Sequence, residues 1–163
     1  MKMDFIIKLT SFALAALLLG FVGYASAQDK PADNMQILRD KIKADKKLLV
    51  AANMDLTESE AKSFWPIYDQ YQKDLHKINQ RIARVVESYA EDYRNRSLTD
   101  EKARKLIDEA LAIDKAEAGL KTTYAPKLGK AIPATKAVRY LQIENKIRAV
   151  VRYDIASGVP LVR

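Results

Sequence analysis

"MDLTESEAKSFWPIYDQY", residues Met54 to Tyr71, is the stretch that decides the fold. Thr57 followed three residues later by Glu60 is the pattern of a capping box, in which the hydroxyl accepts from the third helical N–H and the carboxylate reaches back to the cap. Directly behind it Ala61, Phe64, Tyr68 and Tyr71 stand three and four apart, and Leu75, Ile78, Ile82, Val85 and Tyr89 continue the series. This spacing keeps one narrow apolar seam turned toward a partner helix. It predicts a helix from Thr57 to about Arg94, roughly 55 Å long at 1.5 Å per residue. No small compact globule accommodates such a helix, so the fold class is all-α, an elongated antiparallel helical hairpin or bundle.

Toward the C-terminus, Asn95, Arg96 and Ser97 break the pattern, and Leu98-Thr99-Asp100 opens a third helix with Thr99 as cap. Asp100 and Glu101 sit in its first turn, where the helix dipole favours acids. Ala103, Leu106, Ala110, Ile113, Leu120 and Tyr124 carry the seam onward, with Glu117 as a polar interruption. Pro126 and Gly129 are expected to bend or loosen this helix near its end. Pro133 separates it from a fourth, about Ala134 to Ala156, closed by a left-handed Gly158 and by Pro160. Toward the N-terminus, a first helix fits Asp33 to about Ala52, with Asp33 as cap. Met35, Leu38, Ile42 and Leu49 form its stripe, Asp45 interrupts it, and Lys41, Lys43, Lys46 and Lys47 read as a solvated face. The result is about four helices joined by short connections.

The fourth helix is apolar over more than one face. Tyr140, Ile143, Ile147 and Val150 form one, and Leu141, Val151 and Ile155 widen it. Such a helix contacts its own chain on one side and something else on the other. The simplest second contact is another copy, so a homodimer is expected.

Residues 1–27 read as a cleavable secretory signal: Lys2 and Lys8 flank an apolar stretch that ends in Ala25-Ser26-Ala27. The apolar stretch is nearly long enough for a retained anchor, but Gly20, Gly23, Tyr24 and the A-S-A ending favour cleavage. The mature chain is then Gln28 to Arg163, one domain of an exported protein. The absence of cysteine excludes a disulfide framework, a thiol nucleophile, covalently attached haem and a lipid-modified cysteine. Positive charge gathers at the C-terminal end, where nine basic residues from Lys121 to Arg163 face only Glu144 and Asp154. In an exported protein this suits acidic protein segments or peripheral contact with anionic envelope surfaces, and no nucleic acid is expected.

His76 is the only histidine, and Gln72, Lys73, Asn79 and Gln80 hold the positions a helical metal pair would need. Haem held by His76 and Met35 or Met54 has nothing in the spacing to favour it. Ser59, Ser63, Ser88, Ser97 and Ser157 sit in no nucleophile motif, and glycine-rich phosphate loops are absent. Among carboxylates, capping accounts for Glu60 and helix-start electrostatics for Glu58. The expectation is therefore no catalytic residue, no metal and no cofactor, in a protein that is not an enzyme.

Phe64 and Tyr68 fall on the seam, whereas Trp65 lies about 100° away and Pro66 withdraws an N–H beside it. Trp65 either covers the first helix or the chain end, or belongs to an aromatic surface for partners, since Trp and Tyr dominate interface energetics. Candidate partner-binding residues are Phe64, Trp65, Tyr68 and Tyr71 for apolar contact, and Lys136, Arg139, Arg148 and Arg152 for charge. Glu144 and Arg148, four apart, read as an ordinary surface ion pair.

"LTESEA" from Leu56 and "LTDEKA" from Leu98 place a Leu-Thr pair at two helix starts, the first followed by Phe64-Trp65-Pro66. Together they resemble the doubled L-T-x-x-Q motif of the Spy and CpxP-like periplasmic proteins, over roughly Lys46 to Lys130. The resemblance implies a long bent helical hairpin, dimerisation into a thin cradle, and ATP-independent binding of unfolded or stress-related envelope proteins. Glu60 and Lys102 depart from the pattern by standing where the family has glutamine. Glu60 can still make the reciprocal capping bond; Lys102 cannot. The functional expectation is a chaperone-like or envelope-stress adaptor protein. The alternatives are a dedicated regulatory subunit for the periplasmic domain of a membrane sensor, and a basic structural protein of the envelope.

Overall fold

The computed structural model describes residues 45–162, which lie within one of the chain's two units, Met35–Arg163. The secretory signal, the Asp33 cap and positions Met35, Leu38, Lys41, Ile42 and Lys43 of the first helix lie outside the described residues. Four helices make up the described part: α1 over residues 45–54, α2 over Glu58–Asn95, α3 over Asp100–Ala131 and α4 over Ala134–Gly158. The fold is all-α.

The local chemistry explains the boundaries. Thr57 Oγ1 accepts from the Glu60 N–H at 3.3 Å while Glu60 Oε2 accepts from the Thr57 N–H at 2.7 Å, so both halves of the capping box are made. From there α2 runs 38 residues, through an exposed Pro66, to a left-handed Arg96 at φ 51°. The Ser97 N–H then donates to Asp92 O at 3.0 Å and closes the end. Thr99 caps α3 by accepting from the Lys102 N–H at 3.3 Å.

One expectation about the helix ends is corrected, that of Gly158. α3 carries Pro126 and Gly129 without interruption as far as Ala131. Gly158 is not left-handed: it is the last residue of α4, and Val159 follows at φ −97°. The stop comes from Pro160, whose ring bars the residue before it from helical backbone.

Cross-helix contacts give the topology. Between α2 and α3 the partners lie 50, 28 and then 10 residues apart, at Asp74–Tyr124, Arg81–Glu109 and Asp92–Lys102, so the helices run antiparallel. Between α2 and α4 the separation stays at 68 to 72 residues, from Gln72–Tyr140 and Gln72–Glu144 through Asn79–Arg148 to Tyr89–Pro160. Equal rise in the same direction means that these two helices lie parallel. α1 runs back along α2, with Lys46 on Gln72 and Lys47 on Asp69. The arrangement is up-down-up-down.

The core follows the seam. Phe64, Tyr68, Tyr71, Leu75 and Ile78 of α2 pack with Ile113, Leu120, Tyr124 and Leu128 of α3, Ala137 and Tyr140 of α4, and Val50 and Met54 of α1. The buried edge of α1 is thus Val50 and Met54, with Leu49 only half-buried, a rotation from the expected stripe. Lys46 supplies the reason: its ammonium turns inward to Glu144, drawing the edge one and two turns further on with it.

Candidate functional site

The aromatic run behind Thr57 is core. Phe64, Tyr68 and Tyr71, expected to offer apolar contact to partners, are all but fully buried. Their rings stack edge-on with Tyr140, at centroid distances of 5.1, 5.9 and 5.8 Å, and Tyr71 meets Tyr124 at 5.3 Å. Seam positions four residues apart on a long helix are covered by whatever packs there, and α4 and α1 both do. Trp65 alone keeps part of its surface, with Lys47 Nζ 5.1 Å from its ring. It therefore covers α1.

The basic candidates divide in the same way. Lys136 donates to Asp55 O at 2.6 Å and to Glu60 Oε2 at 2.7 Å, so it fastens α4 to the α1–α2 turn. Arg148 is buried, donates to Asn79 Oδ1 at 2.7 Å and pairs with Glu117. Arg152 reaches both Asp114, at 2.6 Å, and Glu117, at 2.8 Å. Only Arg139 is left as an exposed charge without a partner among the described residues.

Glu144 and Arg148 are not a surface pair. Glu144 is fully buried, its Oε2 accepting from Lys46 Nζ at 2.8 Å and its Oε1 from Gln72 Nε2 at 2.7 Å. Gln72 also bonds Tyr140 Oη at 3.2 Å. Burial pulls the Lys46 ammonium below its ordinary pKa, against the opposing pull of Glu144. Burial likewise holds the Tyr140 phenol well above its usual range, with Glu144 adding to the effect. Helical spacing placed Glu144 and Arg148 on one face, but each turned to a different neighbour. Lys46 had no sequence signal pointing inward.

Apolar surface open to a partner lies at the other end of the hairpin. α4 ends short of α2, so the last turns of α2 and the first turns of α3 meet only residues 159–162 of the tail. Two adjoining hollows result, of about 420 and 380 Å³, sharing Val85, Val86, Ala110 and Val159. The cause is legible in the seam: Ala103 and Ala110 are too small to fill the space opposite Val85 and Val86. Asp114 and Arg152 are the only charged residues lining either hollow, and they are paired with each other. At the groove's edge Ile107 is 58% exposed, and Leu111, one turn on, is 63% exposed. These residues were missed because they lie off the seam. The signal that could have found them is the i, i+4 pair Ile107 and Leu111, together with the uncharged run from Ile155 to Val162.

Another hollow, of about 480 Å³, is lined by Arg81, Lys102, Glu109 and Asp92 among others. Arg81 pairs there with Glu109 and Lys102 with Asp92, and with Arg84, Lys105 and Glu91 also in the lining the charges of both signs nearly balance. Lys102, which stands in place of the glutamine of the resemblance, thus ties the α2–α3 turn together. His76 is exposed beside Gln80 at 3.1 Å. Neither family models, nor curated proteins, nor solved structures provide a match to this chain.

The carboxylates that hold the helices together carry a pH signature. The Asp74 carboxyl is held down at about 2 by Lys77, then Tyr124 and Gln70. Glu60 is lowered by Lys136 and the Thr57 N–H, Asp92 by Lys102 and Ser97, and Glu109 by Arg81. Each binds a proton more readily unfolded than folded, so its contribution is complete above the unfolded value near 4 and vanishes as pH falls toward the folded one. The urea midpoint is expected to hold steady from neutral pH to about 5 and then fall between about 4 and 2. Asp74→Asn should flatten the lowest part of that curve. A midpoint unchanged down to pH 2 would contradict these pairings.

Proposed function

We propose that this protein is an exported, periplasmic, ATP-independent chaperone-like or envelope-stress adaptor protein that holds non-native or partner proteins by their apolar segments. The observation that carries this reading is the groove at the distal end of the α2–α3 hairpin, lined by the exposed Ile107, with the exposed Leu111 one turn further along α3. An apolar channel open at the surface costs solubility unless something covers it. A surface that is apolar and nearly free of charge holds many unfolded segments weakly, while the excess of basic residues elsewhere speeds encounter with acidic ones. The doubled Leu-Thr helix starts, with their likeness to Spy and CpxP-like proteins, support the same reading. Self-association belongs to it, through the outer face of α4, where Val138 and Tyr153 stay largely exposed.

The test is the aggregation of a reduced, unfolded client protein followed by light scattering. Substoichiometric amounts of the full chain are expected to slow it, less effectively at high salt. Ile107→Asp, which places a charge in the groove at an exposed position, is expected to abolish the effect without loss of helical signal. No slowing at several-fold excess and low salt would overturn the reading.

A further inference from the structure

The groove already has an occupant. Beyond α4 the chain continues as Val159-Pro160-Leu161-Val162, followed by Arg163 outside the described residues, with Val159 extended at φ −97° and ψ 115°. Val159 lines both hollows, and Pro160, Leu161 and Val162 line the distal one. We infer that this tail is a displaceable resident of the groove, and that the groove takes from other proteins a segment of the same kind: extended, uncharged and apolar, with proline accepted. This inference rests on the proposed function and names the chemistry of its client.

Three observations carry it. The first is complementarity: no charged residue occurs from Ile155 to Val162, in a chain that is 30% charged, and the hollows this segment lines have only the paired Asp114 and Arg152 as charged lining. The second is the weakness of the hold. Among the described residues one side-chain hydrogen bond, from Tyr89 Oη to Pro160 O at 2.8 Å, anchors the tail, while Leu161 stays 89% and Val162 67% exposed although both border the hollow. A segment whose purpose was to seal the core would bury those side chains. The third is position: Val159 sits where the two hollows meet, so its departure would merge them into one longer channel. A tethered tail competes at a high effective concentration, and an incoming segment binds only to the fraction of molecules from which it has lifted.

The test is fluorescence anisotropy of a labelled, end-blocked peptide, Gly-Val-Pro-Leu-Val-Gly, titrated with the full chain, with a variant ending at Gly158, and with Tyr89→Phe. Truncation removes the hydrogen bond and the half-buried Val159 together, and is expected to tighten peptide binding roughly tenfold. Tyr89→Phe removes only the anchor and should tighten it severalfold, with Ile107→Asp losing binding altogether. Equal affinity for the full chain and Tyr89→Phe, or binding indifferent to Ile107→Asp, overturns the inference; if unfolded client is still held, the proposed function survives. If neither peptide nor unfolded client binds any of the proteins, both fall. Should the truncated chain lose its helical signal, the Tyr89→Phe comparison decides alone.

Discussion

Lys46→Met is expected to destabilise the protein by about 3 kcal/mol or more, the cost of leaving a buried charge without its partner. Glu144 has no exposed surface, and its two oxygens are satisfied by Lys46 and Gln72. Methionine matches the lysine stem but removes the cation, and Gln72 cannot replace it. The reverse change should cost less. In Glu144→Leu the Lys46 side chain, already 21% exposed, can carry its ammonium outward along its own stem. The double variant Lys46→Met with Glu144→Leu should recover most of the loss, because a buried pair replaced by apolar groups of similar size is often neutral or better. Urea unfolding of the four proteins measures the coupling directly. If Lys46→Met and Glu144→Leu cost the same and their effects simply add, the pair does not hold α1 to α4.

Phe64→Ala is expected to cost about 4 kcal/mol, while Trp65→Ala, one residue away, should cost less than half of that. The reasoning is geometric. Phe64 is completely buried, with ring centroids of Trp65, Tyr140 and Tyr68 at 5.0, 5.1 and 6.0 Å, so its removal opens a cavity where helices α1, α2 and α4 meet. Those ring contacts, edge-on to Trp65 and Tyr140 and tilted to Tyr68, are lost in addition to the buried area. Trp65 faces Lys47 and partly water, and its site can close over without leaving a void. Thermal unfolding followed by circular dichroism compares the two. A larger loss for Trp65→Ala would mean that Phe64 is not the centre of this cluster. The same pair of variants bears on function: slowing of client aggregation should survive Trp65→Ala, since the groove is built from residues further along α2 and α3.

How far the amino-acid sequence reaches can be judged residue by residue. Thr57, Glu60 and Thr99 announced two helix starts, because capping is a bond between neighbours and needs nothing from the rest of the fold. The seam from Phe64 to Tyr89 announced which edge of α2 is inside, since that edge repeats with the helix itself. Arg96 marked the end of α2 by breaking the pattern. Each of these is a local property, and each is found in place. Gly158 was misread for a related reason: local propensity was given the last word where Pro160, just beyond the end of α4, decided instead.

The candidate site was far less legible. Lys46 looked like one of four surface lysines until α1 lay beside α2 and α4. Glu144 and Arg148 looked like a pair until Gln72 and Asn79 of the parallel helix offered nearer partners. The groove arises where Ala103 and Ala110 face Val85 and Val86, and it stays open because α4 stops before α2 does. The chain by itself determined helix type, helix length and the buried edge of the long helix, since these depend on interactions within a few residues. Only the tertiary structure decided which charges are buried and where apolar surface is left open. The buried charges depend on side chains 69 to 98 residues apart meeting across helices, and the open surface on where α4 stops beside α2; no local pattern encodes either.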